Sequence, residues 1–199
     1  MKRDLVKINK SSFISYEADL SLIIRKLFVE NKPYSDELKR LLIINTSDCL
    51  DTTNVKYKEI INSKSVADLK REGYIKTTPK MSQGEHEEVK SYIIITMDDF
   101  FLNATNPKFR DCVINFDVIC YNEYWDLTDY RIRPMRIMGL IDGILNEEKL
   151  TGIGTLHFRG ATMFHLGHEF TGYTLSYQAV HGEDDLEVMG TAEIERKND

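Results

Sequence analysis

A chain of 199 residues, 42% hydrophobic and 29% charged, has ample material for one elaborated globular domain. Its formal net charge of −6 argues against a protein that coats nucleic acid by neutralising phosphates, but not against an acidic wall past which DNA slides as cargo. No apolar run is long enough for a membrane-spanning helix, and the charged start, Met1-Lys-Arg-Asp-Leu-Val-Lys-Ile, has no signal-peptide h-region.

Residues 1–78 read as a helical region packed on the main domain. Ser15 is expected to cap a first helix, with Glu17 and Asp19 favouring the positive end of its dipole. Leu20, Ile23, Ile24, Leu27 and Phe28 recur at helical spacing, and Asn31-Lys-Pro33 ends the run. Ser35 is expected to cap a second helix with Leu38, Leu41 and Leu42 inward; the run Leu41-Leu-Ile-Ile44 fits helix or buried strand. A short helix is expected over Val55 to Ile61. Another starts at Ser65, with Asp68 at its third position and Gly73 placed as a C-terminal cap.

Residues 79–182 read as an α+β core. Tyr74 to Thr78 looks extended, and Pro79 to Glu88 is a loop. Lys90 to Met97 is a strand, and Asp98 to Arg110 a connection. In Asp111 to Tyr121 the residues Cys112, Ile114, Phe116, Val118 and Cys120 alternate onto one face, the mark of a half-buried strand. The period then changes: Ile137, Leu140, Ile141, Ile144 and Leu145 form a helical stripe. Strand and helix each have one apolar face, so they are expected to cover each other. Asn146 to Gly154 is a loop. Strands follow near Thr155 to Arg159, Met163 to His168 and Gly172 to His181, with Gly160 and Gly167 marking a bend or bulge. The acidic tail, residues 183–199, has room for one more strand over Leu186 to Ile194. The expected fold is α+β: a mostly antiparallel sheet, a long helix across one face, and N-terminal helices.

The chemistry-bearing residues form no catalytic pattern. His165 and His168 sit three apart in a strand-like context, which points them to opposite faces, so no metal site is expected. Glu88-x-Lys90 matches the tail of a metal-dependent nuclease pattern, but the upstream Pro-Asp pair that would complete it is missing. No phosphate-cradling glycine loop and no G-x-S-x-G occurs. Cys112 and Cys120 share a strand face but stand roughly 25 Å apart at strand rise, so they cannot bridge. With Cys49 they are expected to be reduced, buried thiols of an intracellular protein. The expected reading is a non-enzymatic protein without cofactor.

Three segments are candidates for assembly. Asp98-Asp-Phe-Phe-Leu102 puts Phe100, Phe101 and Leu102 at the exit of a strand; the alternative is that Phe100 and Leu102 close the subunit's own core. Arg131, Arg133 and Arg136 cluster at the unfavourable end of the central helix dipole. They call for a partner: a carboxylate of this chain, a neighbouring subunit, or DNA. Glu183, Asp184 and Asp185 offer the opposite sign.

From residue 79 onwards the order of features resembles the tail-terminator, or tail-completion, proteins of long-tailed bacteriophages. The resemblance lies in the Pro79 loop leading into Lys90-Ser-Tyr-Ile-Ile-Ile95 and the strand Val113-Ile-Asn-Phe-Asp-Val-Ile119. It continues in the helix Arg136-Ile-Met-Gly-Leu-Ile-Asp-Gly-Ile-Leu145 and the strand Thr174-Leu-Ser-Tyr-Gln-Ala-Val180. It implies no catalysis. It implies a virion protein, assembled in the host cytoplasm, that forms a ring, usually hexameric. That ring caps the tail tube and joins it to neck or connector proteins. The region before residue 79 is larger than such a protein needs, which leaves other head-to-tail connector roles open. A metal-dependent nuclease on the same sheet is the alternative from another class.

Overall fold

The structure is a computed structural model that describes residues 13–78, 89–104, 110–150 and 154–181. The first helix, α1, spans Phe13–Arg25 and runs on into a wider turn, Lys26–Glu30. Ile23, Ile24, Leu27 and Phe28 are buried as their spacing predicts. Helix α1 begins two residues before the expected cap, so Ser15 lies inside its first turn. The second helix, α2, spans Tyr34–Ile43 and resolves the Leu41 to Ile44 run as helix. Ser35 is not its cap. Pro33 occupies that position, and Ser35 is buried one residue inside the helix.

Helices α3 (Val55–Ser63) and α4 (Val66–Arg71) have the caps that polar side chains before a helix supply. Asn54 accepts from the backbone of Lys56 and Tyr57. Ser65 accepts from the Asp68 N–H at 3.2 Å while Asp68 accepts from the Ser65 N–H at 3.0 Å, a complete capping box. The Ser65 bonds, first its hydroxyl, hold the Asp68 carboxyl near 2, below its ordinary 3.8. A carboxyl depressed in the folded state stabilises above its unfolded value and loses that contribution as pH falls through the folded value. Ser65→Ala is therefore expected to lower stability near neutral pH by removing one half of the box. The gap between variant and parent should narrow as pH falls from 3.8 toward about 2. Urea titrations at pH 7 and pH 2 check this; a gap equally wide at both would assign the cost to something other than the box. Gly73 then turns the chain at φ +76, as a C-terminal glycine does.

One five-stranded sheet follows, in the order β1-β2-β3-β7-β6. Strand β1 (Ile75–Lys76) is parallel to β2 (Tyr92–Leu102). Strands β2, β3 (Arg110–Tyr121), β7 (Phe170–His181) and β6 (His157–Leu166) pair antiparallel in turn. The long helix α5 is Arg133–Leu145, and a short antiparallel pair, β4 (Lys149–Leu150) with β5 (Gly154–Thr155), overlaps the segment expected to be a loop.

Strand β3 is central, and its alternation sets the layers. Cys112, Ile114, Phe116, Val118 and Cys120 point into one core with Ile93 and Ile95 of β2 and Leu175 and Tyr177 of β7. Helix α5 covers that face with Ile137, Leu140, Ile141 and Leu145, and Ile144 is half-buried at its margin. Buried residues of α1 to α4 belong to the same core, so the N-terminal helices and the sheet share one interior. The Tyr177 hydroxyl donates to Asp142 of α5 at 2.8 Å, tying helix to sheet. The other face of the sheet is mixed. Ser176 donates to Asn115 and Thr174 to Asp117, each at 2.6 Å. Beside them, Tyr92, Ile94 and Ile119 form a small apolar cluster with Phe164 and Phe170. Gly172 is required there. A Cβ would meet the Val118 carbonyl oxygen at 2.5 Å and the Phe164 ring at 2.7 Å.

Two strand boundaries differ from the sequence reading. Strand β2 does not stop at Met97. It passes a register shift between Asp98 and Phe101, with Asp99 at φ 51, and continues to Leu102. An irregularity of this kind lets a strand absorb residues that break its alternation. The two strands expected over Thr155 to Arg159 and Met163 to His168 are one strand, β6, with a register shift between Phe158 and Gly160. Gly160 thus marks a bulge, while Gly167, at φ +67, closes the turn to β7. The expected Pro79 to Glu88 loop and the strand at Leu186 to Ile194 lie outside the described residues.

Candidate assembly surface

The apolar segment at the end of β2 divides just after the register shift that follows Asp98. Phe100 turns inward and packs edge-on against Tyr16 of α1, ring centroids 4.7 Å apart. It is half-buried in the subunit's own packing, the alternative that the sequence left open for it. Phe101 and Leu102 stand 65% and 67% exposed. Asp98 and Asp99 beside them are exposed, as carboxylates entering water should be. Two large, adjacent apolar side chains at a strand end form a candidate docking element.

The basic cluster does not act as a unit. Arg131 is exposed in a short loop. That loop is held by the Leu127 N–H donating to the Arg131 carbonyl at 2.8 Å, with Asp129 and Tyr130 both at positive φ. Arg136 pairs with Glu37 of α2, a carboxylate of the same chain. Arg133 is fully buried. Its Nε donates to the Tyr124 carbonyl at 2.7 Å, Nη1 to those of Leu41 and Ile44 at 2.6 and 3.0 Å, and Nη2 to that of Thr46 at 2.7 Å. A side chain enclosed in this way is no surface contact, which corrects its assignment to an interface. The unfavourable dipole position at the start of α5 is offset because the same guanidinium caps the last carbonyls of α2, the negative end of that helix. Glu183, Asp184 and Asp185 lie outside the described residues.

At the other side of the sheet, sequence reasoning placed two short strands where there is one long one. Strand β6 has one paired neighbour, β7, among the described residues, so no described strand lies along its outer edge, which is ten residues long. On the helix-facing side α5 does not reach that edge. Phe158, which packs on Tyr177 with ring centroids 5.7 Å apart, remains 48% exposed, and Met163 remains 46% exposed. The signal was present in the sequence. Ala161 and Met163 alternate with Thr162 and Phe164, but the glycine-split pattern read as two short strands, which hid the length of the edge.

Ionisable groups complete the surface. His165 lies on β6 with its Nδ1 3.2 Å from the Thr171 hydroxyl, and His157 pairs with Glu147 at 3.0 Å. His168 is exposed in the β6–β7 turn. Among the described residues no three His, Cys, Asp or Glu side chains form a group able to hold a metal ion. No described helix is long and apolar enough to cross a membrane.

The cysteines are free and buried. Burial raises the Cys112 thiol to about 12 and the Cys120 thiol to about 11, and raises Cys49 despite the nearby Arg133 charge. A thiol that high holds almost no thiolate at pH 8, and the thiolate is the nucleophile. The native protein is expected to release no colour from an aromatic disulfide reagent at pH 8, and three equivalents in guanidinium. Rapid native labelling of any one would contradict the burial.

A protein-family model described as YomW matches residues 35–179, which include α2 to α5 and nearly the whole sheet. No curated protein matches the chain.

Proposed function

The chain belongs to the YomW family of phage-associated proteins, and on that premise we propose that it is a non-enzymatic structural subunit of the phage particle. In this reading six copies form a ring that terminates the tail tube and joins it to neck or connector proteins. The ring is assembled in the host cytoplasm, and DNA passes it as cargo. The supporting observation is that the subunit offers two unlike surfaces. One is the exposed pair Phe101 and Leu102 at the end of β2; the other is the outer edge of β6, which no described strand covers, with Phe158 and Met163. A head-to-tail interface closes into a ring only when each subunit carries two different complementary surfaces. An open strand edge with apolar side chains is a hazard in a free monomer and an asset in an assembly, where a neighbour covers it. The net charge of −6 suits a wall that does not hold DNA.

Imaging of assembled particles with a Phe101→Ser variant tests the reading. The variant should stay folded, because the side chain touches water, and should be depleted from particles. Phe100→Ser should lower stability instead, because that ring packs on Tyr16. Absence of the parent chain from mature particles would overturn the structural role. Divalent-metal-dependent cleavage of DNA by the purified chain would replace it with the nuclease reading.

A further inference from the structure

Four aromatic rings form a line at one end of the sheet. Tyr92 of β2, Phe170 of β7, Tyr121 of β3 and Tyr124 follow one another with centroids 6.4, 5.4 and 5.5 Å apart. Strand register makes the line. Tyr121 closes β3 directly opposite Phe170, which opens β7, and side chains directly opposite on paired strands meet on one face. The short turn Asn122–Tyr124 adds the last ring. Two bonds fix that turn to the β6–β7 turn. The Asn122 N–H donates to the Glu169 carbonyl at 2.8 Å, and the Asn122 side-chain amide donates to the His168 carbonyl at 3.0 Å. Glu123 and Glu169 are thereby brought to the same rings. Burial, and then the charges of these two carboxylates, hold the Tyr121 hydroxyl above its ordinary 10.0. Both carboxylates are exposed, while Tyr121, Tyr124 and Phe170 are half-buried. Among the described residues neither carboxylate has a basic partner.

The inner end of the line already holds a cation. Lys76 lies over Tyr92 with its Nζ 4.1 Å from the ring centroid, because the face of an aromatic ring is negative and attracts positive charge. The outer rings, Tyr121 and Tyr124, have the same kind of face and two carboxylates besides, and among the described residues no cation lies over them. We propose that this end of the sheet binds an arginine side chain of a partner protein, the guanidinium lying against Tyr121 and Tyr124 and donating to Glu123 and Glu169. Arginine fits better than lysine. Its planar cation stacks on aromatic faces and forks to separate acceptors, and here the acceptors come from two turns; an ammonium is a compact, strongly hydrated point charge. The same two carboxylates turn phosphate away. The inference goes beyond the ring and does not rest on it, since the site is complete within one subunit.

NMR of the full chain titrated with N-acetyl-arginine amide at constant ionic strength tests it. Ring signals of Tyr121, Tyr124 and Phe170 should move and saturate, and N-acetyl-lysine amide should bind more weakly. Tyr130 is the control, a fully exposed tyrosine beside the single carboxylate of Asp129. Glu169→Gln and Tyr124→Leu should each weaken binding about two- to fivefold, whereas Tyr124→Phe, which keeps the ring face, should not. A linear response no larger than that of Tyr130 overturns the proposal. So does binding that Glu169→Gln and Tyr124→Leu both leave unchanged. Saturation by neutral N-acetylglucosamine, with none by the arginine probe, would give the rings to a sugar and equally overturn it.

Discussion

Arg133→Ala is expected to be the most damaging single change outside the sheet. Four backbone carbonyls, those of Leu41, Ile44, Thr46 and Tyr124, accept from one guanidinium with no exposure to solvent. Alanine would leave these acceptors without their donor and open a cavity between α2, α5 and the Tyr124 loop. A buried group stripped of its partner costs about 1–3 kcal/mol, and several are stripped together. A loss on the order of 4 kcal/mol or more follows, which belongs to the exceptional class of single substitutions. Arg133→Lys should recover only part of it. An ammonium keeps the charge but cannot fork to four acceptors on two separate segments. Urea unfolding of both variants decides this. If Arg133→Ala stays within about 0.5 kcal/mol of the parent, as surface changes do, the carbonyl clamp contributes nothing to stability.

Ile141→Ala should cost about 2–5 kcal/mol through lost burial and the cavity left beneath α5. The side chain is fully buried in the core shared by helix and sheet. Arg136→Ala, one helical turn earlier, removes a partly exposed pair with Glu37. Exposed pairs of this kind contribute about 0–1 kcal/mol, so the two variants should differ severalfold in their effect on the urea midpoint. Equal losses would mean that the buried stripe of α5 is misassigned.

The ranking of Arg133 and Arg136 shows where sequence and fold part company. In the sequence the two are neighbours in one basic cluster. Three residues of helix rotate Arg133 into the interior against α2, while Arg136 meets Glu37 at the surface. Periodicity placed α5 and its apolar stripe but could not foresee that a cation would be enclosed, because its acceptors lie almost ninety residues earlier in the chain. The same holds for Phe100, Phe101 and Leu102. Their apolar character was plain, but the register shift after Asp98 decides which ring faces Tyr16 and which two side chains face water.

By itself the sequence determined the features that depend on near neighbours. These are the alternation of β3, the stripe of α5, the capping box at Ser65 and Asp68, and the glycine turns at Gly73 and Gly167. Each is a local pattern whose energy is set within one turn of helix or a few residues of strand. From these came the α+β class with a mostly antiparallel sheet. Tertiary structure alone decided the strand order, the joining of β6 into one long strand, the parallel placement of β1, and the burial of Arg133. These depend on contacts between segments far apart in the chain, and a local pattern holds no record of which distant partner will satisfy a given hydrogen-bonding group.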